Sequence, residues 1–273
     1  MNFTLPHIPE RSKKPRNEGL TMVMDKGLSV GETDSFIDSC AELTDFIKFG
    51  FGTSAITTRL EEKLKLYRQA NIRSYFGGTL FEAFAIRKMV DDYRRLIDKY
   101  KLDLIEISDG SMSMPHDEKL EYIRTLSKQV TVISEVGSKQ RGVFIPANTW
   151  VDMMKSELEA GSYKVIAEAR ESGTIGIYNS DGSANENLIN TISMHIKPSD
   201  IIWEAPEGKQ QVWFIKLYGS SVNLGNIAPN IVIPLECLRL GLRGDTFFDF
   251  LPKEEKTHKQ HTYDYLPNLD FQI

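Results

Sequence analysis

Eight short β-prone runs alternate with helical patterns along this 273-residue chain, and that alternation is the strongest constraint on its fold. The runs are Thr21–Gly27, Phe46–Thr53, Ile72–Thr79, Leu104–Ser111, Thr131–Lys139, Lys164–Arg170, Asp200–Pro206 and Ser221–Asn226. Between the first three, Phe36, Ile37, Cys40 and Leu43, and then Leu60, Leu64 and Tyr67, recur at helical spacing. The stretch Leu80–Tyr100 predicts one long amphipathic helix. Further helices are predicted from near Pro115, about Thr149 and about Asn185, then over Gln210–Tyr218 and Pro229–Leu240. Such alternation means parallel strands joined by crossover helices. Eight units predict closure into an α/β (β/α)8 TIM barrel, a fold that takes about 250 residues. An open doubly wound sheet is the alternative, but no Gly-x-Gly-x-x-Gly follows the first run. The predicted catalytic barrel spans 19–250, between a Pro-rich basic extension (1–18) and a polar tail (251–273).

Composition excludes several function classes. A formal net charge of −5 argues against general nucleic-acid binding, which needs a basic surface. Cys40 and Cys237 are the two cysteines and lack close Cys/His partners, so neither a zinc site nor a disulfide framework is expected. No apolar run approaches the roughly 18 residues of a membrane span. A cytoplasmic protein with no membrane partner is expected, and the ring of outer helices together with the tail suggests a homo-oligomer.

In a barrel, catalytic groups gather where strands end. These ends carry Asp25, Lys26, Lys48, Gly77, Gly78, Thr79, Ser108, Lys139, Arg170, Asn223, Gly225 and Asn226. Four successive runs also place a Glu late in an apolar stretch: Glu106, Glu135, Glu168 and Glu204. A carboxylate in such a setting needs a cation, because burial alone costs several kcal/mol, on the order of that for any unpaired buried charge. Lys26, Lys48, Lys139, Arg170 or Mg²⁺ would serve, and Mg²⁺ needs few carboxylates because it keeps several waters. The plainer alternative is a set of ion pairs that only holds the barrel together. Gly77-Gly78-Thr79 lets backbone approach an anion, although a simple turn before a helix reads the same way. Gly225 and Asn226 lie on the final strand, where barrels often hold phosphate. None of the five histidines has a partner at metal-ligand spacing.

Laid out in order, GLTMVMDKGL (19–28), FIKFGFGTSA (46–55), GGTLFE (77–82), EISDGS (106–111), EVGSK (135–139), ARESG (169–173), EAP with QQVWFI (204–206, 210–215), SSVNLGNIA (220–228) and LRLGLRGDTF (238–247) closely resemble the phosphosulfolactate synthase (ComA) family of coenzyme M biosynthesis. Gly208 and Ser138 stand where many members have lysines, and both chain ends look like those of a bacterial branch. The resemblance implies a barrel that adds sulfite to phosphoenolpyruvate with Mg²⁺, giving (2R)-phospho-3-sulfolactate. It places the proton-donating lysine at Lys139. In that setting Lys48 and Arg170 act with Lys139 as catalytic cations, and Glu106, Glu135, Glu168 and Glu204 hold metal. Asp25, Lys26, Gly77, Gly78, Thr79, Ser108, Asn223, Gly225 and Asn226 bind substrate. Two other classes remain open. One is a Schiff-base aldolase acting on a phosphorylated substrate through Lys139 or Lys48. The other is a non-catalytic, stress-associated barrel.

Overall fold

A computed structural model describes residues 2–138, 142–170 and 172–256. Eight parallel strands form its centre: β1 (Thr21–Asp25), β2 (Phe46–Phe49), β3 (Arg73–Phe76), β4 (Leu104–Ile107), β5 (Thr131–Val136), β6 (Lys164–Ala167), β7 (Ile201–Glu204) and β8 (Leu224–Ile227). Around them run α1 (Val30–Cys40), α2 (Leu60–Gln69), α3 (Gly78–Ala85), α4 (Val90–Tyr100), α5 (His116–Leu126), α6 (Ala147–Glu159), α7 (Glu186–His195), α8 (Gly208–Tyr218) and α9 (Val232–Arg239). The ladder runs β3-β2-β1-β8-β7-β6-β5-β4, and its two end strands lie side by side. This is a nearly closed TIM barrel in one domain. The seam between β3 and β4 is bridged by the side chains of Glu106 and Glu82.

Register decides which residues face inward. Met24, Lys48 and Tyr75 are direct neighbours on β1, β2 and β3 and share the inner face. Leu20, Met22, Met24, Phe46, Tyr75, Leu104, Ile133, Ile166 and Ile202 fill the barrel interior. A larger apolar shell, including Phe81, Tyr93, Ile123, Trp150 and Trp203, packs between strands and helices. The barrel is therefore solid below its mouth, as the layered packing of such folds requires.

Local chemistry sets the helix boundaries. Ser29 caps α1 and Glu32 reaches back to the Ser29 N–H, a reciprocal capping box. Asn185 caps α7 by accepting from the Leu188 N–H. The expected single helix over Leu80–Tyr100 is two helices, because Lys88 adopts a left-handed φ of 57° that a continuous helix does not allow. The terminal expectation also gains detail: the described part of the N-terminal extension straps the barrel floor. Arg11 donates to Glu236, the Ser220 carbonyl and the Gly19 carbonyl, each at 3.0 Å. Arg16 pairs with Asp45 at 2.9 Å, and Asp45 also accepts from the Thr21 N–H at 2.8 Å.

Candidate active site

At the C-terminal ends of the strands, a cavity of about 400 Å³ is lined by Met24, Lys48, Phe51, Gly78, Thr79, Ser111, Glu135, Glu168, Ala169, Arg170, Ser172, Glu204 and Asn226. Its floor is ionic. Lys48 Nζ lies 2.9 Å from Glu106, 3.0 Å from Glu135 and 3.4 Å from Glu204, all four side chains being buried. Burial pulls the Lys48 pKa down, but Glu106, Glu135 and Glu204 outweigh it and hold the ammonium well above its ordinary value. Lys48 therefore stays charged and serves the carboxylates first. A nucleophilic amine needs the neutral form, so this setting opposes a Schiff base at Lys48.

Glu204 is held by more than Lys48. It accepts from the Ala169 N–H at 3.0 Å and from the Asn226 side-chain amide at 3.4 Å. Burial, aided by Glu135 and Glu106 against the pull of Lys48, raises its pKa to about 7. Glu135, Glu168 and Glu204 each bring one oxygen within 4.8 Å of the others, all buried. Three hard oxygen donors this close together suit Mg²⁺. Glu106 stands apart from that trio, since its Oε1 accepts from the Gly78 N–H at 2.6 Å while Oε2 faces Lys48.

That Gly78 bond crosses the β3/β4 seam. A Cβ on residue 78 would sit 2.2 Å from Ser108 Oγ and 2.8 Å from Glu106 Oε1, so only glycine fits there. Gly137, the glycine of EVGSK, has φ 138°, and a Cβ there would meet Glu168 Cβ at 2.5 Å. The close packing of these loops against the ring follows from both.

The other expected residues divide by direction. Thr79, Arg170 and Asn226 line the cavity, Arg170 at its exposed lip. Gly77 extends the β2–β3 pairing, its N–H donating to the Phe49 carbonyl. Lys26 is exposed on the β1–α1 turn, outside the cavity lining. Four of the remaining expectations need correction. Asp25 points outward, where it binds Lys63 at 2.6 Å and the Tyr67 hydroxyl at 2.9 Å and accepts from the Gly27 and Leu28 N–H groups, so it is not at the mouth. Asn223 lies on the opposite floor, exchanging bonds with Leu20, Ser199 and Ile201 backbone. Gly225 packs on Met22 and Ile202 inside the barrel, so its role is close packing rather than ligand contact. Ser108 is fully buried and donates to Glu82. Lys139 lies outside the described residues.

Sequence reasoning missed Ser111 and Phe51 in the cavity wall, and Glu82 and Lys119 behind it. Glu82 is the one acid within the apolar helix GTLFEAFA, and its signal was that anomaly. A second cavity, about 570 Å³, lies on the barrel floor beside Lys14, Arg16, Arg68, Arg73 and Lys101. Four of its cations are engaged: Arg73 with Asp103, Arg16 with Asp45, Arg68 with the Tyr100 carbonyl that ends α4, and Lys14 with the Ala41 and Thr44 carbonyls. Cations at helix C-termini answer the helix dipole, so the mouth is the candidate site.

Comparison with known proteins gives the family. The family model described as (2R)-phospho-3-sulfolactate synthase (ComA) matches residues 9–245. The chain belongs to the (2R)-phospho-3-sulfolactate synthase family. It is 40% identical to phosphosulfolactate synthase of Bacillus subtilis over 251 residues, covering 91% of this chain and 100% of the relative. It is 39% identical to the phosphosulfolactate synthase of Methanothermobacter thermautotrophicus over 244 residues, covering 87% and 95%. Membership makes it an enzyme of the carbon–sulfur lyase class. In fold alone it resembles a crystal structure of 3-hexulose-6-phosphate synthase, with a TM-score of 0.51, 13% identity and coverage of 80% and 98%. No helix among the described residues is long and apolar enough to cross a membrane.

Proposed function

We propose that this enzyme adds sulfite to phosphoenolpyruvate, with Mg²⁺ as cofactor, to give (2R)-phospho-3-sulfolactate. The observation that carries the reading is the buried ring of Glu106, Glu135 and Glu204 around Lys48, opening to a cavity sized for a small anion. A cytoplasmic homo-oligomer supplying coenzyme M or a related sulfonate completes the proposal, drawn from the family and from two unpaired cysteines.

Glu135, Glu168 and Glu204 are the residues that would hold Mg²⁺. When bound, the ion supplies Lewis-acid stabilisation of charge developing on the substrate carboxylate. The chain's own groups do the rest. Sulfite is already nucleophilic near neutral pH and needs positioning rather than activation, so bringing it to the methylene carbon is the main task. Arg170 at the lip draws two anions into a site on an acidic protein. The backbone at Gly78 and Thr79 lines the approach without bulk. Lys48 offsets the charge of the carboxylate ring and holds it in place. The resemblance gives Lys139 the transfer of a proton to C2, which completes the addition across the double bond.

A phosphorus NMR assay with phosphoenolpyruvate, sulfite and Mg²⁺ tests this directly. A new phosphate-ester resonance that requires sulfite is expected. An unchanged phosphoenolpyruvate signal at high enzyme concentration would refute the assignment.

A further inference from the structure

The loop Ser108-Asp109-Gly110-Ser111 leaves β4 beside the seam and is fastened from both sides by buried charges. On one side, Glu82 of α3 is 2% exposed. One of its oxygens accepts from the Ser108 hydroxyl, and the other accepts from the Ser111 N–H at 2.7 Å. On the other side, Lys119 of α5 is wholly buried. Its Nζ donates to Asp109 at 2.8 Å and to the Glu135 carbonyl at 2.7 Å, and lies 2.8 Å from Glu157 of α6. Glu157 and Asp109 outweigh the effect of burial and raise the Lys119 pKa, so the ammonium is charged.

Burying an ammonium and two carboxylates is costly, and such groups are weak sources of stability. Their yield here is geometric. Lys119 ties the end of β5, at Glu135, to the loop that follows β4. Glu82 ties the same loop to the helix that follows β3. Three consecutive strand ends are thus held in register at the one place where the barrel ladder is open. The residue this construction presents to the cavity is Ser111, whose side chain is exposed there.

We propose that Ser111 is a further substrate-binding residue, its hydroxyl donating to an anionic oxygen of phosphate, carboxylate or sulfite. Glu82 and Lys119 are its positioning residues. The proposal rests on the reading of the site given above. A hydroxyl is suited to the task because it adds a donor without adding charge beside the carboxylate ring. Holding its backbone through a buried carboxylate fixes the loop before ligand arrives, which lowers the ordering cost of binding.

Steady-state kinetics and isothermal titration with phosphoenolpyruvate and with sulfite test it, comparing wild type, Ser111→Ala and Glu82→Gln. Loss of one hydrogen bond to a charged oxygen predicts a rise of about 10- to 100-fold in KM and Kd for one of the two anions in Ser111→Ala, with kcat changed less than about threefold. Glu82→Gln loses one of its two acceptor oxygens, so either Ser108 or the Ser111 N–H is stranded. It should reproduce that KM rise and raise the hydrogen-exchange rate of the Ser111 amide, while the amides of β4 keep theirs. An active wild type whose Ser111→Ala variant has unchanged KM and Kd for both anions overturns the proposal and leaves the activity standing. An unaltered Ser111 amide in Glu82→Gln, or a fall in melting temperature with no KM change, overturns the positioning role. A wild type that neither binds nor converts either anion overturns the activity, and this assignment with it.

Discussion

Lys48 Nζ stands 2.9 Å from Glu106 Oε2 at the base of the mouth, with the Lys48 side chain 6% exposed and that of Glu106 fully buried. The contact places a positive charge between acids contributed by β4, β5 and β7. Removing it in Lys48→Met leaves those carboxylates crowded and uncompensated. Breaking a buried pair in this way costs on the order of 3–5 kcal/mol. Chemical denaturation should show a loss of that size, and turnover should fall to background. A variant with native stability would mean that the ring is protonated and does not need Lys48.

The trio Glu135, Glu168 and Glu204 predicts a divalent-cation requirement. Chelation should abolish activity and Mg²⁺ restore it. Calorimetric titration with Mn²⁺ as a probe should show one site, and Glu168→Gln should weaken it by at least about tenfold, since even partners outside the ligand set are worth about that much. Full activity after exhaustive chelation would remove the metal from the mechanism.

How far this site was legible follows from strand parity and from what lies off the strands. A Glu inside Ile105-Glu106-Ile107 or Trp203-Glu204-Ala205 is visible because a charge interrupts an apolar run, and the fold brings these acids together. Asp25 looked equivalent, but Met24 occupies the inward position and alternation turns Asp25 out toward Lys63. Asn223 failed for a related reason: β8 starts at Leu224, so the preceding residue belongs to the floor. Register, which no single sequence displays, decided both. Glu82 and Lys119 sit on helices, where attention to strand ends does not reach, although a lone charge on an apolar face marks each. The break between α3 and α4 was hidden because 86–89 contains neither Gly nor Pro.

The raised pKa of Glu204 predicts how pH acts on the metal-free protein. A carboxyl that holds its proton more tightly when folded, at about 7, than when unfolded, near the ordinary Glu value of about 4.3, contributes stability at low pH. That contribution is lost as pH rises through this window and is gone above about 7. Glu204→Gln mimics the protonated acid and should flatten this part of the profile, read as melting temperature from pH about 5 to 8. A variant whose slope matches wild type would contradict the assignment.

Lys139 provides a test that separates protonation from binding. Lys139→Ala should reduce turnover by at least about 100-fold, the scale of general acid catalysis, while phosphoenolpyruvate binding measured by calorimetry persists. Borohydride should trap no substrate adduct on Lys48, because its ammonium is held charged. A reduced adduct at either lysine, found by peptide mass spectrometry, would revive the aldolase mechanism.

The floor of the barrel should behave oppositely to the mouth. Asp45 accepts from Arg16 at 2.9 Å and from the Thr21 N–H at 2.8 Å, joining the N-terminal strap to the first strand. Asp45→Ala strands a nearly buried guanidinium and a buried backbone donor together. The expected loss is about 3 kcal/mol, seen as a lower denaturation midpoint. Charge at this end of a barrel serves stability, whereas chemistry gathers at the other end. Accordingly kcat and both KM values, measured well below the lowered melting temperature, should stay within about twofold of wild type, the change expected when no substrate contact is touched. A selective KM increase in Asp45→Ala would instead show that the strap communicates with the mouth through the packed interior of Leu20, Met22 and Phe46.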